Sequence, residues 1–148
     1  MATVKLVKSI YTGTDVTSLG EVASGDTVDV PNGSTLSNPT VNDGYTEETA
    51  TANTGTAYTI DLANGSLQIL TLTGNCTFTF PTPTAGKSFT LFLKQDATGS
   101  RTVTWASSVK WPSSTAPTVT STASKGDKFV FTADGTYWWG SVAGQNYL

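Results

Sequence analysis

Along the second half of the chain, large apolar residues alternate with threonine and other polar residues at a period of two. Tyr58, Ile60 and Leu62 interleave with Thr59 and Asp61, Cys76 shares a face with Phe78 and Phe80, and Phe89, Leu91 and Leu93 form a further stripe. Successive side chains of an extended chain point to opposite faces, so each run predicts a strand with one buried side. Residues 67–73 read as another strand, with "NG" at Asn64 and Gly65 as the turn before it and "TGN" as the link to 76–80. Pro81 and Pro83 end that run, because proline has no amide hydrogen to give to a ladder. "DATGS" turns the chain from the Phe89 stripe into 101–105, which predicts a hairpin; Phe129 and Phe131 share a face, and after the "ADG" turn a last strand runs through Tyr137, Trp138, Trp139 and Val142. No helical period appears. Strands recurring about every 10–12 residues with turn chemistry between them predict an all-β fold, an antiparallel β-sandwich or jelly-roll.

The first third of the chain is patterned differently. Residues 4–11, "VKLVKSIY", alternate only loosely, as an edge strand or a pairing arm would; Val4, Leu6, Val7, Ile10 and Tyr11 are its candidates for contacts outside the chain's own core. Glycines and Pro31 then break the sequence into short pieces. Residues 36–55 are polar and small, carry the acidic pair Glu47 and Glu48, and read as a linker or extended loop. The predicted organisation is an N-terminal arm and linker over 1–54 and a β-sandwich domain over 55–148.

Composition sharpens this picture at three points. Charged residues make up 13% of the chain, against the ~25% usual for soluble domains. Threonine, roughly a fifth of the residues, takes their place at the surface, and its branched Cβ suits a pleated strand. The formal net charge of −3 and the absence of a basic run argue against nucleic acid or an anionic membrane as partner, since counterion release needs clustered Lys and Arg. No stretch approaches the ~18 apolar residues of a membrane span, and no leader pattern follows Met1. A single cysteine, Cys76, makes no internal disulfide, so the fold must hold by packing or by oligomerisation.

Candidate chemistry is sparse. The chain has no histidine, which removes the Ser-His and Cys-His nucleophile pairs and the commonest zinc sites. Cys76 sits in step with Phe78 and Phe80 and reads as a buried, inert thiol. Asp26, Asp96, Asp127 and Asp134 lie beside glycine or in turns, where a carboxylate accepts its own backbone amides, and the sequons at Asn32, Asn64 and Asn75 read as turns as well. No catalytic residue, metal ligand or cofactor site is predicted. What remains is aromatic. Trp105 shares a face with Val103 and belongs to the core, and Trp111, before Pro112, caps the same sandwich. Trp138 and Trp139 are adjacent and must face opposite sides of one strand, so one of them lies outside the core. It meets either a neighbouring subunit, the favoured reading, or a ligand such as a sugar ring.

The segments "LTGNCTFTFP", "SFTLFLKQDATGSRTVTW", "VKWPSSTAPT" and "DGTYWWGSVAG" resemble a β-domain that recurs in structural proteins of tailed bacteriophages. The opening "KLVKSIYTGTDVTSLGEVASGD" is similar to the start of other phage virion proteins, cyanophage ones among them. The resemblance implies a non-enzymatic homotrimer of the virion, assembled in the host cytoplasm. The shortness of the chain favours a capsid decoration or cement protein that binds the major capsid protein on the outer face of the mature head, stabilising that lattice by its binding free energy. The alternative is a short tail-fibre or head-fibre protein with a receptor-binding or carbohydrate-binding role, its partner another fibre protein or a host surface glycan.

Overall fold

The computed structural model describes residues 46–147. Its strands are β1 (Thr49–Asn53), β2 (Ala57–Thr59), β3 (Leu67–Leu72), β4 (Cys76–Thr79), β5 (Ser88–Gln95), β6 (Val103–Thr104), β7 (Val109–Lys110), β8 (Gly126–Ala133) and β9 (Trp138–Tyr147). They build a larger sheet in the order β1-β3-β5-β8-β9-β7 and a smaller one in the order β2-β4-β6. The helical elements among the described residues are two single 3-10 turns, Leu62–Asn64 and Pro112–Ser114. The fold is an all-β sandwich, as the period of two predicted.

The pairing departs from the antiparallel expectation. From β1 to β6 the chain alternates between the sheets, and each return lays the new strand parallel to the last one: β1 with β3, β3 with β5, β2 with β4, β4 with β6. Residues 49–104 therefore wind as three coils, β1–β2, β3–β4 and β5–β6. Antiparallel pairing is confined to β5 with β8 and β8 with β9, while β7 joins β9 in parallel. The predicted hairpin from the Phe89 stripe to 101–105 is absent, since β5 and β6 lie in different sheets. The physical reason is that a period of two fixes which face of a strand is buried but is silent on its partner.

The corners between the sheets carry the repeat that makes a coil possible. "TGT" after β1, "TGN" after β3 and "TGS" after β5 occupy successive corners. The first two stack: Gly55 donates its amide to Thr73 Oγ1 (3.1 Å), Thr77 donates to the carbonyl of Thr56 (3.0 Å), and a Cβ on Gly74 would stand 3.1 Å from the carbonyl oxygen of Gly55. Gly74 is glycine because another backbone passes there. The next corner joins through Asn75, whose Oδ1 accepts from the Thr102 amide (3.1 Å).

Thr49–Asn53, assigned to the linker on its polarity, is instead a strand in register with β3, with Ala50 opposite Gln68 and Ala52 opposite Leu70. Alanine suffices on its inner face because the sheet ends there, and Ala52 packs against the core. The bounds of the expected arm otherwise fall outside the described residues, as do Val4, Leu6, Val7, Ile10 and Tyr11 and the turn at Asp26.

The core lies between the sheets and is largely aromatic. Phe129, Phe131 and Trp138 of the large sheet are fully buried, and Phe78 of the small sheet nearly so. Trp105 meets Phe129 edge-on at 5.1 Å, and Phe80 meets Phe131 the same way at 5.0 Å. Aromatic pairs favour this geometry because the positive ring edge faces the negative π-cloud. Cys76 is buried as expected, and burial pushes its thiol pKa up. Two core glutamines tie loops to the sheet. Gln95 donates from Nε2 to the carbonyls of Arg101 (2.9 Å) and Thr120 (2.8 Å) and accepts from the Arg101 amide (2.9 Å). Gln68 donates to the carbonyls of Gly65 (2.6 Å) and Asp61 (3.2 Å). Each satisfies backbone groups that would otherwise be stranded where the chain leaves a sheet.

Candidate functional site: an aromatic cleft between β7 and β9

The sequence placed one of two adjacent tryptophans outside the core, and the structure distinguishes them. Register sets Trp138 opposite Ala133, facing inward, where it is fully buried and donates from Nε1 to the carbonyl of Pro81 (2.8 Å). Trp139 points the other way and is 52% exposed.

Around Trp139 the surface is built by two short elements. β7 pairs in parallel with the first residues of β9, setting Val109 beside Trp138 and Lys110 beside Trp139. The Trp138 amide donates to the carbonyl of Ser108 (3.0 Å), fixing this join. Val109 is buried, so Lys110 points outward, where its Nζ stands 4.5 Å from the ring centroid of Tyr137 and donates to the carbonyl of Ser107 (3.2 Å). A cation over an aromatic face is attracted by the ring quadrupole. Tyr137 is 39% exposed and meets Trp139 edge-on at 6.3 Å.

Asp134 orients the pair. Its Oδ1 accepts the amides of Thr136 (2.7 Å) and Tyr137 (2.8 Å), closing the turn before β9 as the sequence predicted, while Oδ2 accepts from Trp139 Nε1 (2.9 Å). The Tyr137 amide first, then the Thr136 amide and the indole, hold the carboxyl below the usual carboxylate range. Asp96 is likewise a turn residue, taking the amides of Thr98 (3.0 Å) and Gly99 (2.9 Å) and the guanidinium of Arg101 (2.9 Å). Asp127 differs from its prediction. It is a buried β8 residue, 1% exposed, that accepts from the Thr120 amide (2.6 Å), the Thr120 hydroxyl (2.7 Å) and the Asn146 amide (2.9 Å).

Lys110, Tyr137 and Trp139 line a cleft of about 510 Å³ together with Trp105 and Trp111. Trp111 belongs to the buried core, whereas Trp105, expected in the core, is half-buried and packs against it; the two meet edge-on at 5.1 Å. Trp111 needs the glycine beneath it: a Cβ on Gly140 would stand 2.8 Å from its ring. The indole nitrogens of Trp105 and Trp111 are buried without an acceptor. A second cleft of about 350 Å³ shares Trp105 and Ala116 with the first and is lined by Arg101. Among the described residues, neither cleft is lined by a carboxylate. Among the described residues no group of three His, Cys, Asp or Glu is placed to hold a metal ion.

Sequence reasoning put one of Trp138 and Trp139 outside the core without telling which, and missed Lys110 and the cleft. The available signal was the alternation in "VKWP", where a buried Val109 forces Lys110 outward; the pairing that brings it to Trp139 spans far more sequence than the pattern does.

Fold and surface together define an all-β module of coiled parallel strands, closed by the antiparallel pairing of β8 and carrying an aromatic cleft beside β7 and β9. Over residues 49–127, just over half of its length, the chain matches the family described as "Putative phage tail fibre C-terminal domain", and it belongs to that family. No curated protein matches the chain. It is thus a phage structural protein and a virion component, as the resemblance implied. The family is one of fibres, so it favours the fibre alternative over capsid decoration.

Proposed function

We propose that this chain is a tail-fibre protein and that the cleft beside Trp139 binds carbohydrate on the host surface. The observation that carries the reading is Trp139 itself: a large ring, 52% exposed, held by Asp134 beside a second exposed ring at the mouth of a concave site. An exposed, oriented aromatic face buries the apolar face of a sugar ring, while nearby polar groups take its hydroxyls. The fibre family supports a receptor-facing role over a capsid-facing one.

Two measurements test this. Binding of the purified chain to immobilised bacterial surface polysaccharides is expected to be lost in Trp139→Ala with thermal stability retained; binding unchanged in that variant removes the cleft from the reading. Immunogold labelling of intact phage is expected at the tail, whereas gold distributed over the head returns the decoration reading to the front.

A further inference from the structure

We infer that the ligand of the aromatic cleft is an acidic oligosaccharide, its carboxylate or phosphate group held by Lys110. The inference rests on the carbohydrate reading of the same site. The protein is acidic overall, with a net charge of −3, yet among the described residues its two adjoining clefts are lined by one cation each and by no anion. Arg101, in the smaller cleft, is already paired with Asp96 at 2.9 Å. Among the described residues Lys110 has no carboxylate partner: its contacts there are the Ser107 carbonyl and the face of Tyr137.

A lysine in this state suits anion recognition. The ammonium has three donors, of which one is used by the carbonyl, and the Tyr137 face restrains it without neutralising its charge. Register sets it beside Trp139 on the same outward face of the β7–β9 pair, so one sugar unit spans the stacking ring and the cation. The shared wall of Trp105 and Ala116 continues the site into the second cleft, which gives room for more than one unit.

The test uses the full chain with oligogalacturonate and its carboxyl-reduced form, which share a backbone and differ in charge. The acidic form is expected to bind about tenfold more tightly, because a hydrogen bond to a charged group is worth more than a neutral one. That preference is expected to shrink with added salt and to vanish in Lys110→Gln. Equal binding of the two forms, or a preference surviving Lys110→Gln, overturns the acidic inference and leaves the carbohydrate reading standing. Binding of neither form overturns the inference; the polysaccharide experiment with Trp139→Ala then decides the broader reading separately.

Discussion

Phe78 and Trp105 stack on neighbouring parallel strands of the small sheet, their ring centroids 5.7 Å apart and their planes 17° from parallel. Tyr58, one coil earlier, meets Phe78 edge-on at 6.1 Å, so one aromatic per coil forms a ladder up the inside of the sheet. The ladder connects to the cleft, because its last member, Trp105, also lines the cleft.

Removing the middle rung tests the ladder. Phe78→Ala is expected to lower unfolding free energy by about 3–5 kcal/mol, the usual range for a large buried aromatic. Tyr58→Ala, at a half-buried position, is expected to cost less. Urea denaturation of both variants measures the difference; equal losses would mean the rungs do not support one another as stacked coils should.

The adjacent tryptophans are expected to separate stability from binding. Trp138→Ala empties a fully buried site and is expected to cost about 3–5 kcal/mol. Trp139→Ala, at the surface, is expected to stay within about 0.5 kcal/mol of the parent. Thermal denaturation reads both, and a large loss in Trp139→Ala would show that the ring supports the fold.

Asp134 gives the site a pH dependence of known sign. Its folded pKa is depressed, so the ionised form is favoured by the fold, and its contribution is present at neutral pH and lost as pH falls through that depressed value. Trp139 fluorescence is expected to hold steady from pH 7 to about 4, the ordinary carboxylate range, and to change only below it. Asp134→Asn keeps an acceptor for the turn amides but presents an NH₂ group toward the indole, so its spectrum at pH 7 is expected to differ from the parent's. Identical spectra would mean the carboxylate does not orient the ring.

The buried carboxylate of Asp127 fastens the end of β9 to the segment before β8. Asp127→Ala removes the carboxylate acceptor of the part-buried bonds from the Thr120 and Asn146 amides, and an intramolecular hydrogen bond is worth about 0.5–1.5 kcal/mol. Amide hydrogen exchange is expected to rise at the C-terminal end of β9 and around Thr120 while the coils keep their protection. Uniform loss of protection would instead make this joint part of the global fold.

The alternation of Leu70 and Leu72, of Phe89 through Leu93, and of Phe129 and Phe131 made the long strands legible, because one face of each is buried and the other is wet. β1 escaped notice because Thr-Ala-Thr-Ala-Asn contains no large apolar residue; its burial comes from a neighbour, Leu70, not from its own bulk. The coil escaped because Tyr58, Phe78 and Trp105 recur at unequal spacing, the corner after β5 being longer than those after β1 and β3. At the site, adjacency alone dictated that one of Trp138 and Trp139 face outward. Which one depends on a single register, Trp138 opposite Ala133, that no local pattern encodes.

The central join of the large sheet, β5 against β8, has a consequence for the order of assembly. Between those strands the chain crosses to the small sheet as β6 and returns as β7 before β8 begins. Closing such a detour carries a loop entropy that a simple hairpin does not, which places the domain among folds that mature in milliseconds to seconds. The cleft straddles this detour, with Trp105 through Trp111 on its near side and Tyr137 and Trp139 beyond β8. Neither wall alone makes a site, so a chain emerging from the ribosome acquires its cleft only after β9 has docked, and a half-made domain carries no cleft at all.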